Sequence, residues 1–327
     1  MAKTILVTGA AGFIGSNVAQ ALLKRGDRVV GVDNFNDYYA PAQKRANLEE
    51  LRQQAATPEN FTFLEGDLRD RALVQQMFAA HAFDAILHLA GIGGVRYSIQ
   101  EPHLYFGVNL EGTLNLLEGV CRRPSMNFVL ASTSSVYGAT AKIPFVESDP
   151  CDRPLAPYAA SKRAAEILGY TYHHLYKLNF TALRFFTVYG PRNRPDMMAF
   201  KVMDNIFFAR EVPLYNQGQV YRDWTFVDDI VAGVIAAGDR PLGYEIINLG
   251  RGEPVLLADF VKRIEELTGR KANFVSAPLP DTDIQSTHAD ISKARRLLDY
   301  RPQISVPEGV ARFWQWYQQR MLKANPP

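Results

Sequence analysis

The sequence is 327 residues long, with 47% hydrophobic and 21% charged residues and a formal net charge of +2. That balance suits a globular chain with a sizeable core, and the lack of a basic stripe interleaved with aromatics argues against a nucleic-acid binder. No apolar run reaches the length of a membrane span, the N-terminus lacks the apolar stretch and cleavage site of a signal peptide, and Cys121 and Cys151 are too few for a disulfide framework, so a reducing cytoplasm is expected.

TILVT (4–8), short, apolar and rich in β-branched residues, predicts a strand. A glycine turn follows, and then 13–26, where apolar residues recur at helical spacing up to a stop glycine, Gly26. RVVGVD (28–33) predicts the next strand, and 41–56 opens on Pro41 and reads as a polar, exposed helix. FTFLEGD (61–67), DAILHLAG (84–91) and NFVLAS (127–132) read as further buried strands, each followed by a helical or irregular stretch. Short apolar strands alternating with helices predict an α/β chain, a Rossmann-type doubly wound parallel sheet built from right-handed βαβ units.

After about residue 190 the alternation loosens. YGPRNRPDMM (189–198) reads as a loop, 212–229 as short strands around a turn, 257–269 as an amphipathic helix, and 291–300 as another, N-capped by Asp290 or Ser292. The expected division is a dinucleotide-binding domain over 1–190, completed by about 226–250, and a smaller mixed α/β substrate lobe over most of 191–327.

VTGAAGFIG (7–15) places Gly9, Gly12 and Gly15 between the first strand and the first helix. In such a loop the first glycine makes the tight turn, the second lets backbone approach a pyrophosphate, and the third packs helix against strand. The second strand then ends on Asp33, an acceptor for adenosine ribose hydroxyls that would repel a 2′-phosphate, which favours NAD over NADP. Asp67 is a candidate for the adenine side and Leu89, Ala90 and Gly91 for a strand end beside the cofactor, although both stretches also read as ordinary turns.

APYAASKRAAE (156–166) puts Tyr158 and Lys162 on one helical face with only small residues between them. A positive charge about 5 Å from the phenol, at an effective dielectric of about 20, is worth roughly 3 kcal/mol, or about two pKa units. With an oxidised nicotinamide as a second positive charge, Tyr158 could ionise near neutral pH and serve as a general base. Alone, this spacing is common on solvated helices; the dinucleotide loop in the same chain gives it meaning. The six histidines do not cluster, and His88 reads as a core residue.

TGAAGFIG (8–15), ASTSSVYG (131–138) and YAASK (158–162) together resemble the extended short-chain dehydrogenase/reductase superfamily, the nucleotide-sugar epimerases and dehydratases, over nearly the whole chain. Within it, the segments 33–51, 91–118, 184–198 and 222–231 resemble UDP-glucuronate 4-epimerases. The resemblance implies a Rossmann domain holding NAD, a C-terminal lobe holding a UDP-sugar, and the sugar between them. It implies Tyr158 as base, Lys162 as its partner, and Thr133 at the sugar 4-hydroxyl. The implied cofactor shell is Gly9, Gly12, Phe13, Ile14, Gly15, Asp33, Asn34, Asn36, Asp67, Leu68, Leu89, Ala90, Gly91, Asn109, Tyr158, Lys162 and Phe185. The implied substrate shell is Arg96, Thr133, Ser134, Ser135, Thr187, Arg194, Tyr215 by the uracil, Arg222 on the diphosphate and Asp283 at the uridine ribose, with no metal.

Galactose-type epimerases often carry Lys shortly after the AG pair, where this chain has Gly93, so Arg96 is expected to take over some binding there. Arg192 and Arg194 read equally as a solvated loop or as an anion site. UDP-glucose epimerases and UDP-glucuronate decarboxylases remain alternatives, but decarboxylases place an acid before VYG where this chain has Ser134 and Ser135. A non-catalytic dinucleotide sensor fits less well, since Thr133, Tyr158 and Lys162 are intact. Homodimers of this family pair helices like 104–120 and 158–178, although core packing within one chain explains the same apolar faces.

Overall fold

Seven strands form one parallel sheet in the computed structural model, which describes residues 2–121, 123, 125–139 and 142–324. They are β1 (Thr4–Thr8), β2 (Arg28–Asp33), β3 (Phe61–Glu65), β4 (Ala85–His88), β5 (Asn127–Thr133), β6 (Asn179–Phe185) and β7 (Tyr244–Leu249). Their spatial order is β3-β2-β1-β4-β5-β6-β7, every neighbouring pair parallel. This is the doubly wound arrangement, in which the chain reverses direction across the sheet between β1 and β4 and opens a crevice at the strand ends.

The apolar runs are strands because both sheet faces are covered. All of β4 and β5 is buried. On one face the helices Phe13–Arg25 and Val227–Asp239 bury Val18, Leu22, Ile230 and Val234. On the other, Arg71–Ala80, Gly112–Val120 and Pro157–Tyr176 bury Val74, Met77, Leu116, Leu117 and Ala165. Gly9 has φ of +66°, and a Cβ on it would sit 2.8 Å from the Ala90 nitrogen, so the β1 turn closes on the β4 end only with glycine there.

The C-terminal part packs small paired strands, Glu211–Tyr215 with Asn273–Ala277 and Tyr221–Arg222 with Val255–Leu256, against the helices Met198–Phe207, Leu257–Thr268 and Val306–Ala324. Trp224 stacks on Phe260 with ring centroids 4.0 Å apart. Trp224–Phe226 pairs with Thr187–Tyr189, which continues from β6. The lobe therefore hangs from the strand end where the crevice lies.

Two local readings change. The helix expected over 41–56 as an exposed element ends at Gln54 and buries Gln43, Lys44, Asn47, Leu48 and Leu51. Its polar residues are bonded rather than solvated: the Asn47 amide donates to the Ala11 carbonyl at 3.0 Å, and Gln43 donates to the Asn193 carbonyl at 3.0 Å. The late helix spans Ser292–Leu298 with Ile291 in the cap position, while Asp290 Oδ1 accepts the Ser292 N–H at 2.8 Å.

Glu166, one helical turn beyond Lys162 in Pro157–Tyr176, is fully buried against fully buried Arg184 of β6. Arg184 donates through Nε at 3.0 Å and Nη2 at 2.8 Å, Ser132 of β5 donates its hydroxyl at 2.5 Å, and Arg163 Nη1 donates at 3.1 Å. Removing one partner of a buried pair strands the other charge, which typically costs about 3–5 kcal/mol. Glu166→Ala is expected to lose about that much stability, read from the denaturant midpoint; a loss below about 1 kcal/mol would show that the pair does not hold the helix on the sheet.

Candidate active site

A cleft of about 410 Å³ runs along the strand ends from Asp33 to Phe185. Gly9, Gly12, Phe13, Ile14, Gly15, Asp33, Asn34, Asn36, Asp67, Leu68, Leu89, Ala90, Gly91, Thr133, Ser134, Ser135, Tyr158, Phe185, Thr187 and Arg194 all line it. The fold thus gathers into one wall residues that the sequence spreads from Gly9 to Arg194.

At one end, Asp33 is almost fully buried. Its Oδ1 accepts the Phe35 N–H at 2.9 Å and its Oδ2 the Ala11 N–H at 3.3 Å, which aims the carboxylate along the cleft wall. Lys44 Nζ lies 3.6 Å from Oδ1 and donates to Asn36 Oδ1 at 2.8 Å. Burial pushes the Lys44 amine down while Asp33 pulls it back up. Asp67 is engaged by Arg69, which donates at 2.8 and 3.0 Å, and by Asn34 at 2.9 Å; the Arg69 hydrogen bond leads in pulling its carboxyl down to about 2.

These features fit a dinucleotide. Gly12 stands immediately before the Phe13–Arg25 helix and carries no side chain to cap it, so that terminus opens onto the cleft. A buried carboxylate lies at the end of β2, where a ribose is read. Both are on one wall.

At the other end, the Tyr158 ring meets Tyr105 edge-on at 6.0 Å, and Tyr105 donates its hydroxyl to the Gly94 carbonyl at 2.8 Å. Burial raises the Tyr158 pKa, while a hydrogen bond with Thr133 and the charge of Arg194 lower it. The sequence reading expected the Lys162 charge to act on the phenol; the structure also brings Arg194 to this wall. Lys162 lies beneath the floor rather than on the wall. A Cβ on Gly91 would touch its Nζ at 2.9 Å, and burial pushes the amine down to about 8, with Glu166 pulling it back up.

Asn109 is also off the wall. It is fully buried, accepts the Ile92 N–H at 2.9 Å, and donates to the Ile92 carbonyl at 3.1 Å and the Ser161 hydroxyl at 3.0 Å. It braces the loop after β4 directly behind Gly91, where a Cβ would lie 2.8 Å from its Oδ1.

Arg192 and Arg194 separate. Arg192 is buried on Glu50 at 2.7 Å and faces away from the cleft. Arg194 pairs with Asp196 through Nε at 2.9 Å and Nη2 at 2.8 Å, with the Tyr38 ring 5.4 Å away. A Cβ on Gly93 would lie 2.7 Å from Arg194 Nη1. The glycine in place of Lys therefore makes room for Arg194, and Arg194 rather than Arg96 occupies that space.

A second hollow of about 180 Å³ adjoins the first through Ser134, Ser135 and Thr187, and its wall includes Arg222 and Asp283. Burial disfavours the Arg222 charge, with Asp283 opposing that effect. At its rim Arg96 donates to Tyr215 Oη at 2.6 Å and to Asp283 at 3.2 Å, its guanidinium 4.6 Å from the Tyr215 ring centroid. Three residues singled out in separate segments thus meet. Arg96 and Tyr215 themselves stand outside both walls.

Sequence reasoning missed Tyr38, Tyr39, Lys44 and Asp196 on the main wall. The tyrosine pair in DNFNDYY was the available signal, since adjacent aromatics in a polar loop need something to cover. Among the described residues, no group of His, Cys, Asp and Glu could hold a metal ion, and no helix is long and apolar enough to cross a membrane. His88, fully buried, bonds Thr8 and Thr113 through its two ring nitrogens and is part of the core.

The model of the NAD dependent epimerase/dehydratase family matches residues 5–250. A UDP-glucuronate 4-epimerase of Thermodesulfobacterium geofontis is 44% identical over 312 residues, covering 95% of each chain. The UDP-glucuronic acid 4-epimerase of Bacillus cereus, solved with UDP-glucuronic acid and NAD, aligns with a TM-score of 0.89 at 34% identity over 97% of this chain and 99% of that one. The UDP-glucose 4-epimerase of Thermotoga maritima, solved with UDP-glucose, gives 0.88 at 28% identity over 97% and 99%. Likeness of this extent, over a cleft built for a dinucleotide, is more than a shared fold: the chain belongs to the NAD dependent epimerase/dehydratase family, in the extended short-chain dehydrogenase/reductase superfamily.

Proposed function

We propose that the protein is a UDP-glucuronate 4-epimerase, which interconverts UDP-glucuronate and UDP-galacturonate. The observation that carries this reading is the junction of the two hollows. Hydroxyl residues Ser134, Ser135 and Thr187 line both, and Arg194 borders them on the main wall. Arg194 spends Nε and Nη2 on Asp196 and keeps Nη1 against Gly93. Hydroxyls with one guanidinium suit a sugar carboxylate, because charge-assisted hydrogen bonds contribute about 1.5–3 kcal/mol each.

Tyr158 takes the proton of the sugar 4-hydroxyl and later returns it. Thr133, on the same wall as that phenol, aligns the hydroxyl. Arg194 stabilises the phenolate, and Lys162, held beneath Gly91, adds positive charge from below. Bound NAD supplies the acceptor and donor for the C4 hydride. The 4-keto sugar turns over between the two transfers, so proton and hydride both come back and the net reaction is an isomerisation. Gly9, Gly12, Asp33, Asn34 and Asn36 hold the cofactor's adenosine half, and Phe185 its nicotinamide end. Residues 1–190, with β7, serve the cofactor; most of 191–327 serves the UDP-sugar. Arg222, on the wall of the second hollow, takes the diphosphate. Tyr215 and Asp283, gathered by Arg96, receive the uridine.

The assembly is read as a homodimer. Ile167 and Leu175 on Pro157–Tyr176 are 53% and 61% exposed, and Phe106 and Leu114 are exposed on the neighbouring helical segment. Such faces pair about a two-fold axis into a four-helix bundle. The free thiols Cys121 and Cys151 suit a reducing cytoplasm.

Two measurements test the reading. Tyr158→Phe should stay folded, keep NAD, and lose about 10²–10⁴-fold in turnover of UDP-glucuronate, because the proton acceptor is gone; near-normal turnover would remove Tyr158 from the chemistry. The second concerns carbon dioxide. Oxidation at C4 makes a β-keto acid, which decarboxylates once its C5–carboxylate bond stands perpendicular to the ketone plane. Wild-type protein should release almost no UDP-pentose, and Ser134→Ala with Thr187→Ala should raise the ratio of UDP-pentose to UDP-galacturonate by mass spectrometry. An unchanged ratio places the restraint elsewhere. A wild type that makes mainly UDP-pentose is a decarboxylase, and one that prefers UDP-glucose is a galactose-type epimerase.

A further inference from the structure

The segment after β2 folds back over the glycine turn and brings Tyr39 to the cleft wall. Its hydroxyl is buried and has no hydrogen-bond partner among the described residues. A buried hydroxyl without a partner is costly, so natural sites keep one where a ligand completes it. The hydroxyl lies 3.8 Å from where a Cβ on Gly12 would stand. That glycine opens the backbone to a phosphate, at the start of the Phe13–Arg25 helix. The Lys44 ammonium sits 5.0 Å from the Tyr39 ring centroid and adds positive charge on the same side. We propose that the Tyr39 hydroxyl donates a hydrogen bond to a pyrophosphate oxygen of the bound dinucleotide, with its ring held in place by Lys44.

The protonation state agrees. Burial raises the Tyr39 pKa first, and Asp33 and Asp196 raise it further, while Arg194 and Arg320 oppose them. The hydroxyl stays protonated at neutral pH and acts as a donor, which is what an anionic, acceptor-only phosphate oxygen requires. The adjacent Tyr38 is built differently: it donates to Asp196 Oδ2 at 3.1 Å and is satisfied without a ligand. Only one of the two tyrosines is therefore left to the cofactor. The inference rests on the NAD reading of the cleft and goes further, assigning a phosphate contact to a residue outside the glycine loop.

Tyr39→Phe removes one oxygen and nothing else. Titrations of nucleotide-free wild type and variant with NAD, ADP-ribose and adenosine separate the possibilities, with the melting temperature of the free proteins as a second readout. The expected result is NAD and ADP-ribose binding weakened equally, by about 10- to 100-fold, adenosine unchanged, and a melting temperature of the free variant equal to or above wild type. Unchanged NAD affinity would overturn the proposal. So would an equal loss with adenosine, which would move the contact to the nucleoside. A variant that fails to fold or melts lower would also overturn it, since the hydroxyl would then serve the free chain. If wild type binds none of the three probes, it is the NAD reading that fails.

Discussion

Glu166 and Arg184 meet at full burial between the helix Pro157–Tyr176 and β6, and the geometry of the cleft depends on that contact. Tyr158, Lys162 and Glu166 follow each other at four-residue intervals on one helical face. Fixing Glu166 therefore fixes the rotation and height of the other two. Register then ties the same contact to the sheet: Arg184 lies opposite Ser132, and Ser132 donates to Glu166 and stands beside Thr133. Arg184 also lies over the Tyr137 ring at 4.7 Å, and Tyr137 closes the turn that carries Ser134 and Ser135. One ion pair thus sets the distance between the phenol and the residues that would hold the sugar. Such a pair adds little stability compared with apolar packing. Its value here is positional.

What could be read from the sequence was local. Gly9, Gly12, Gly15 and Asp33 lie within one β-α-β unit, so spacing alone put the glycines at the first strand-to-helix turn and Asp33 at the end of the second strand. Tyr158 and Lys162 share a face by helical periodicity. The contacts that decide charge were not legible, because they join distant segments. Nothing near Gly93 announces that its missing side chain makes room for Arg194, about a hundred residues on. Nothing in PRNRPD tells Arg192, buried on Glu50, from Arg194, which faces the cleft. The helix after Pro41 looked solvated because Gln43, Lys44 and Asn47 are polar; they are buried because their partners, carbonyls of the glycine loop and of the 190s loop and the side chain of Asn36, come from elsewhere. Nor does the sequence tell that Asn109 bonds Ile92 and Ser161 behind the wall.

The base proposed at Tyr158 has to work against its own burial. Burial opposes ionisation of Tyr158 and opposes the charge on Lys162. Each is partly relieved by different neighbours, Thr133 and then Arg194 for the phenol and Glu166 for the amine. Arg194 is itself held by Asp196, so the cation near the sugar is already neutralised in part before substrate arrives. A carboxylated sugar would then be held by hydroxyls and one free guanidinium edge rather than by a bare charge, a grip loose enough for the ring to turn over.

The central claim is that one bound sugar is oxidised and reduced at C4 by a cofactor that never leaves. UDP-glucuronate deuterated at C4, turned over in ordinary water and followed to equilibrium by NMR, tests it directly. The account predicts UDP-galacturonate with deuterium retained at C4 and no solvent hydrogen incorporated at C4 or C5. Loss of the C4 label to solvent, or exchange at C5, would contradict it.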